Sequence, residues 1–162
     1  LIVVDLLRYL RLDNNPLSSL PTSIGNLKNL KWLELNSTSI SSIPASFGNL
    51  DNLENLIIAR TPELQQLPED LFHLSALHSV TVSGNSLLVQ ELENLRGLRE
   101  LIIYGRETSY DISAIQNLQQ LETLKLRNFT LEFDVRQLSV VRKLPNIRTL
   151  SFCSICLELV IS

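Results

Sequence analysis

The sequence of 162 residues contains no methionine and only two cysteines, two histidines and one tryptophan. So few cysteines argue against a disulfide-stapled secreted domain and favour a reducing compartment, which predicts a cytoplasmic location. The formal net charge of -3 at pH 7 disfavours binding to nucleic acid or an acidic membrane. No apolar run is long enough to cross a bilayer, and the opening letters LIVV are too short for a signal peptide. The missing methionine, even at position 1, predicts a fragment of a longer chain.

Patterns typical of catalysis are also missing. There is no Ser-His-Asp or Cys-His arrangement, no pair of carboxylates at matched spacing and no glycine-rich phosphate loop. His73 and His78 are isolated, and a lone histidine is more often solvated surface than a ligand or base. Cys153 and Cys156 form a C-x-x-C pair, which alone supplies half of the four ligands that zinc normally needs. We therefore expect two free thiols, no cofactor, no metal, no small-molecule substrate and no enzymatic activity.

Hydrophobic residues make up 44% of the chain and charged residues 19%, which indicates a globular domain. Within it, one segment nearly repeats itself: SLPTSIGNLKNL, ending at Leu30, returns as SIPASFGNLDNL, ending at Leu53. The apolar letters are kept while the polar letters change. Such a repeat indicates a structural unit, and further copies of it are expected along the chain.

The skeleton L-x-x-L-x-L-x-x-N-x-L fits four times closely and three times loosely. Consecutive units begin 21 to 26 residues apart, at Leu7, Leu30, Leu53, Leu77, Leu98, Leu121 and Ile147. Leucine-rich repeats have periods of about 20–29 residues. The spacing therefore predicts one domain over residues 1–162, built from about seven stacked units.

Each unit has a physical plan. The x-L-x-L-x portion alternates like a short strand, which sends leucines to one face and variable residues to the other. The Asn or Thr that follows can hydrogen-bond backbone groups left unpaired by the bend. Pro21, Pro44 and Pro68 suit the first turn of a short helix, where no N–H is needed. The predicted fold is an α/β solenoid, with a curved parallel sheet on its concave face and short helices or 3-10 turns on its convex face.

The pattern resembles the leucine-rich-repeat family across the chain. LPTSIGNLKNLKWLEL with STSISSIP is similar to the repeats of plant intracellular nucleotide-binding, leucine-rich-repeat immune receptors, which often carry L-P-x-x-I-G-x-L-x-x-L and Thr or Cys at the Asn position. The resemblance implies a non-catalytic module for ligand or effector sensing, or for autoinhibitory contact, in plant defence. Two alternatives stay open: a stand-alone cytosolic scaffold or adaptor, and the substrate-binding half of a bacterial effector enzyme such as a ubiquitin ligase.

The chain departs from the family's pattern in its second half. Arg106, Phe129 and Ile155 occupy the Asn position of the last three units, so an unbroken asparagine ladder is excluded there. Residues 104–111 are expected to form a polar loop. Residues 131–146 carry apolar letters at helical spacing and predict a longer convex helix that ends near Pro145.

Counting along the strands predicts which side chains face out of the solenoid. Aromatic residues and arginine are common energetic anchors of protein interfaces, and they cluster at outward positions in the first units. A protein partner is therefore expected on the concave face, without nucleic acid or membrane. The predicted partner-binding residues are Tyr9, Arg11, Trp32, Glu34, Asn55, Ile57, Ile102, Tyr104, Lys125 and Arg127.

Overall fold

The computed structural model describes residues 6–83, 86–105, 111–128, 135–153 and 157–160. It contains one sheet whose strands follow each other in chain order. The first seven are parallel, and the eighth pairs antiparallel with the seventh. The strands are β1 (Tyr9–Arg11), β2 (Trp32–Glu34), β3 (Asn55–Ile58), β4 (Ser79–Ser83), β5 (Glu100–Tyr104), β6 (Thr123–Arg127), β7 (Thr149–Cys153) and β8 (Leu157–Val160).

The strand register confirms the predicted repeat. Equivalent positions of consecutive units lie side by side, as in Leu10↔Leu33 between β1 and β2 and Leu33↔Leu56 between β2 and β3. Neighbouring strands of a sheet are about 4.8 Å apart. Each outward position therefore forms a row of side chains across the sheet, one per repeat.

The core lies between the sheet and the segments that return to the next strand. Leu33 and Leu35 are fully buried, and Leu56 is 1% exposed, as the alternation predicted. Phe47, the largest fully buried side chain among the described residues, comes from a returning segment. The leucines of each unit are thus buried against those of its neighbours, which is why no unit can form this core alone.

The returning segments are mostly short 3-10 helices. They span Thr22–Asn26, Ala45–Asn49, Glu69–His73, Leu92–Asn94, Ser113–Asn117 and Val135–Lys143, and one α-helix, α1 (Ser86–Glu91), precedes the fourth of them. None of the helices in the described ranges is long and apolar enough to cross a membrane.

Proline caps three of these helices instead of occupying their first turn. Pro21 has φ -68° and ψ 149°, which is extended, and Pro44 and Pro68 are similar. The carbonyl of Pro21 accepts a hydrogen bond of 3.0 Å from the Ile24 N–H. A 3-10 helix bonds residues three apart, so the residue before its first turn supplies the first acceptor. The fixed φ of proline suits that position as well as the predicted one.

The predicted turn chemistry is confirmed. Thr38 Oγ1 donates to the Leu35 carbonyl at 2.9 Å, and Thr61 Oγ1 donates to the Ile58 carbonyl at 3.0 Å. Asn15 Nδ2 donates to the Leu12 carbonyl at 3.0 Å in the first unit. In these three units the side chain bonds the carbonyl of the last strand residue or of the residue after it, where the chain leaves the sheet.

Several predictions fall partly or wholly outside the described residues. The longer helix predicted over 131–146 is present as the 3-10 helix Val135–Lys143, which ends before Pro145. The loop predicted at 104–111 is described only at its two ends, and Arg106, Phe129 and Ile155 are not described. Cys156 also lies outside the described residues, and Cys153 is described only as part of β7.

The strand β8 was not predicted. It pairs with β7 along Thr149↔Val160 and Leu150↔Leu159, so the edge of β7 is covered. At the opposite end, Leu6 is 78% exposed, and Leu10 is only partly buried. The two ends of the described sheet therefore differ: one is closed by an antiparallel strand, and the other presents β1.

Candidate functional site on the strand face

The side of the sheet that faces away from the core, here called the strand face, carries all ten predicted partner-binding residues. Tyr9, 67% exposed, and Arg11 are the most accessible of them. The other eight are half-buried. Three rows cross the sheet, and the ten residues occupy positions within them. The first row contains Tyr9, Trp32, Asn55 and Glu100; the second contains Arg11, Glu34, Ile57, Thr81, Ile102 and Lys125; the third contains Asp13, Asn36, Ala59, Ser83, Tyr104 and Arg127.

An aromatic and charged cluster lies over β1 and β2. Trp32 Nε1 donates a hydrogen bond of 2.8 Å to Glu34 Oε1. Arg11 Nε lies 2.9 Å from Glu34 Oε2 and 3.3 Å from Asp13 Oδ1. Tyr9 is the register neighbour of Trp32. Trp32, Glu34, Arg11 and Asp13 are called the Trp32 cluster below.

A groove of about 390 Å³ begins beside this cluster and runs toward β5. Its lining includes Ile57, Ala59, Thr81, Ile102 and Tyr104. Ala59 and Thr81 are at most 6% exposed, although they occupy outward positions, because short side chains do not project past larger neighbours. Ala59, one residue after β3, and Thr81 of β4 therefore set the depth of the groove between the Trp32 cluster and Tyr104.

A second hollow of about 360 Å³ adjoins the groove, and its lining includes Arg60, Pro62, Ser83, Tyr104 and Asn128. Arg60 and Tyr104 line both spaces. The strand face thus carries two adjacent open hollows with apolar and charged groups in their linings.

The basic end of the strand face is partly neutralised. Lys125 Nζ donates to Glu100 Oε1 at 2.8 Å, and Ser79 Oγ donates to Glu100 Oε2 at 3.0 Å. Partial burial would raise the pKa of Glu100, but these two hydrogen bonds and the Lys125 charge hold the pKa below its ordinary 4.5. Glu100 therefore stays ionised in neutral solution and fixes Lys125 on the surface.

A further row of charges, which the sequence analysis did not identify, precedes the strands. Lys31 pairs with Glu54 across β2 and β3, and the hydrogen bond from Lys31, followed by the Lys31 and His78 charges, lowers the pKa of Glu54 despite some desolvation. Farther along, Arg99 Nη1 lies 3.4 Å from Glu122 Oε1, and Arg148 Nη1 lies 3.8 Å from Glu122 Oε2. Because these charges pair with one another between repeats, they compensate each other along this edge of the strand face. The signal was visible one position before each strand, where charges of opposite sign alternate in several units.

One residue of the site, Arg60, was also missed. It lies just beyond the third row, at a repeat position where Asn14, Ser37, Arg60 and Asn128 all have φ between 53° and 57°. The sequence signal was present, since Asn is one of the few residues that tolerates this left-handed backbone. It would have required comparing one position across all units.

No group of three or more His, Cys, Asp or Glu side chains that could hold a metal ion occurs in the described ranges. His73 is exposed on a returning segment, and His78 Nδ1 lies 3.0 Å from the Ala76 carbonyl. The two histidines therefore lie apart from each other, and neither one lines the groove.

One strand per repeat, stacked in chain order around a shared core, defines the class of repeat solenoids. The chain matches the family described as leucine-rich repeat region over residues 4–160. It therefore belongs to the leucine-rich-repeat family. No curated protein matches the chain.

Solved structures give the same fold. A leucine-rich-repeat protein of Leptospira interrogans aligns over 93% of this chain and 43% of its own, with a TM-score of 0.63 and 26% identity. The plant peptide hormone receptor RGFR1, solved in complex with RGF2, aligns over 89% of this chain and 24% of its own, with a TM-score of 0.60 and 25% identity. The chain thus spans less than half the length of these two proteins.

Proposed function

We propose that this protein is a non-catalytic recognition module that binds a protein partner on its strand face. The observation that carries the proposal is the Trp32 cluster: Arg11, Asp13 and Glu34 line an open groove, and the Trp32 ring is hydrogen-bonded to Glu34. Such residues dominate the binding energy of many interfaces. The exposed Tyr9 ring and the apolar Ile57 and Ile102 side chains extend the same surface.

The internal contacts of the cluster favour binding because they fix its side chains before a partner arrives. Trp32 is held by Glu34, and Glu34 is held by Arg11. A surface that is already ordered loses less side-chain entropy on association. The Arg11 side chain is 69% exposed and the Glu34 side chain 15%, so the pair presents its guanidinium to solvent, and we assign the arrangement to recognition.

We propose a biological setting from the resemblance of the repeats. The module would serve ligand or effector sensing, or autoinhibition, in a plant intracellular immune receptor, which would place it in the cytoplasm. The solved relative in complex with RGF2 is a receptor for a plant peptide hormone, which supports a role in recognition and leaves the immune setting as a proposal. Sequencing the parent transcript tests it. An upstream nucleotide-binding domain supports the receptor, whereas a stop codon at the end of the repeats or a downstream catalytic domain supports the scaffold or the effector enzyme.

The binding surface itself is tested by affinity capture with three forms of the protein. Trp32→Ala removes the anchor, and His73→Ala serves as the control because His73 is exposed on a returning segment. A partner retained by the wild type and His73→Ala, but lost with Trp32→Ala, supports the proposal. Equal capture by all three forms, or loss with His73→Ala alone, contradicts it.

A further inference from the structure

We propose that Arg60 makes the strand-face groove selective for an extended peptide segment that carries an acidic side chain. The inference rests on the proposed function, because it names the chemistry of the partner at the same surface. Arg60 lies where the two hollows of the strand face meet, and it lines both of them together with Tyr104.

The first observation is a conflict between residue type and backbone conformation. Arg60 has φ 57°, in the left-handed region that disfavours side chains with a Cβ. At the same position of other repeats the chain uses Asn14, Ser37 and Asn128, with φ between 53° and 57°, and asparagine tolerates this region best. Because the conformation recurs in four repeats, the particular feature of this repeat is its arginine side chain.

The strained backbone of Arg60 is held in place by its neighbours. The Arg60 N–H donates to Ser83 Oγ, and the preceding Ala59 N–H donates to Asn36 Oδ1 at 2.8 Å. These bonds do not need the guanidinium. The guanidinium is therefore not needed to hold this backbone conformation, which an asparagine would adopt at a lower energetic cost.

The second observation is the charge balance of the groove. Arg11 pairs with Glu34 and Asp13, and Lys125 pairs with Glu100. Arg60, in contrast, makes no side-chain ion pair or hydrogen bond with any residue in the described ranges, and it is exposed. A planar guanidinium binds a carboxylate through two parallel hydrogen bonds. An acidic side chain of the partner is the group that complements it.

The lining and the length of the groove indicate which other chemical groups the partner contains. Ile57 and Ile102 form the apolar part of the groove, which suits an apolar side chain next to the acidic one. From β2 to β5 the hollow crosses three strand spacings of about 4.8 Å, or about four residues of an extended chain. A short extended peptide segment therefore fits, with its acidic residue at Arg60 and Tyr104.

The test starts with phage-displayed random octapeptides selected on the wild-type protein. We expect enriched sequences in which Asp or Glu adjoins an apolar residue. A synthetic peptide of that consensus should bind Arg60→Asn at least about tenfold more weakly than the wild type, since one charge-assisted pair is lost. Arg60→Lys, which keeps the charge and loses the paired geometry, should bind with an intermediate affinity.

Two further readouts separate recognition from a structural role. Arg60→Asn should have a higher Tm than the wild type, because asparagine relieves the left-handed strain. Changing the acidic residue of the peptide to its amide should weaken binding to the wild type and leave binding to Arg60→Asn unchanged. A lower Tm for Arg60→Asn, or equal sensitivity of both proteins to the amide, would overturn the inference.

The outcome also separates this inference from the proposed function. Selected peptides that lack acidic residues, and that bind Arg60→Asn normally but fail to bind Trp32→Ala, would refute the role of Arg60 and retain the strand-face site. A selection that enriches no peptide, or only peptides insensitive to both substitutions, would contradict both proposals.

Discussion

The contribution of a single side chain to the stability of this fold depends on its position in the stack of repeats. Leu12 and Leu35 hold the same position in consecutive units. Leu35 is fully buried, whereas Leu12 is only partly buried against the core. The first unit has a described neighbour on one side only, so its leucines contact fewer apolar groups.

Leu35→Ala should therefore lower the free energy of unfolding by about 2–5 kcal/mol, through lost burial and the cavity left behind. Leu12→Ala is the matched control and should cost clearly less. Urea denaturation of both variants and the wild type gives the comparison. Equal midpoints for Leu35→Ala and the wild type would show that the register is wrong.

The Glu100 carboxylate links stability to pH at the residue scale. Its pKa is below 4.5 in the folded protein despite partial burial, because Lys125 and Ser79 donate hydrogen bonds to it. A lowered folded pKa means that the unfolded chain binds the proton more readily. The stabilisation is therefore complete above about pH 4.5 and is lost as the pH falls through the folded pKa.

Glu100→Gln should flatten the dependence of unfolding free energy on pH below about 4.5, and Ser79→Ala should flatten it partly. Chemical denaturation at a series of pH values from neutral to about 3 measures both slopes. If Glu100→Gln keeps the full wild-type slope in this acidic range, the assigned pairing is incorrect.

At the scale of elements, the returning segments pack more closely than their polar sequence suggests. A Cβ on Gly25 would lie 2.2 Å from the Ser46 carbonyl oxygen, and a Cβ on Gly48 would lie 2.3 Å from Asp70 Cβ. Both glycines precede Asn in the 3-10 helix of their unit. Each one allows its helix to approach the helix of the next repeat.

Gly25→Ala should consequently destabilise the protein by about 1–3 kcal/mol, because a backbone carbonyl must move to admit the methyl group. Gly97→Ala is the matched control, since its nearest contact would be 4.0 Å away. Thermal unfolding of the two variants under the same conditions makes the comparison. Similar Tm values would indicate that the helices do not pack at this distance.

The strands could be predicted from the sequence, and the connections only partly. Alternation fixes which side of a strand is buried, so the register of Leu33 and Leu56 followed from counting. The returning helices also make contacts between repeats, such as the one at Gly25, that no single unit contains. The strand β8 pairs antiparallel with β7 only 5 to 11 residues away along the chain, and a repeat pattern of parallel strands gives no signal for that change of direction.

The candidate site was likewise predictable from the sequence only in part. Trp32 and Tyr9 could be placed on one row because alternation and stacking are regular. The bond between Trp32 and Glu34 depends on side-chain rotamers, and the role of Arg60 depends on a backbone angle. Neither of these can be deduced from a repeat pattern alone.

Across the whole molecule, the two faces of the sheet have separate tasks. Leucines between the sheet and the returning segments hold the stack together, while variable residues on the strand face are free to differ. The returning segments also carry contacts between repeats. Lys28 Nζ donates to the Asn49 carbonyl, and Asn52 Nδ2 donates to the Lys28 carbonyl, each at 2.8 Å. Lys28 and Asn52 are therefore poor controls for binding, and the exposed His73 is a better one.

The affinity of an isolated partner for Trp32→Ala tests the central claim most directly. Because Trp32 is half-buried, Trp32→Phe is measured as a second variant. Phenylalanine keeps most of the apolar area and removes only the hydrogen bond to Glu34. Anchor residues of this kind commonly contribute 2 kcal/mol or more, so Trp32→Ala should weaken binding by about thirtyfold or more. His73→Ala should bind like the wild type, and circular dichroism should show all variants folded. Normal binding by a folded Trp32→Ala protein, or weak binding by His73→Ala alone, would contradict a partner site on the strand face.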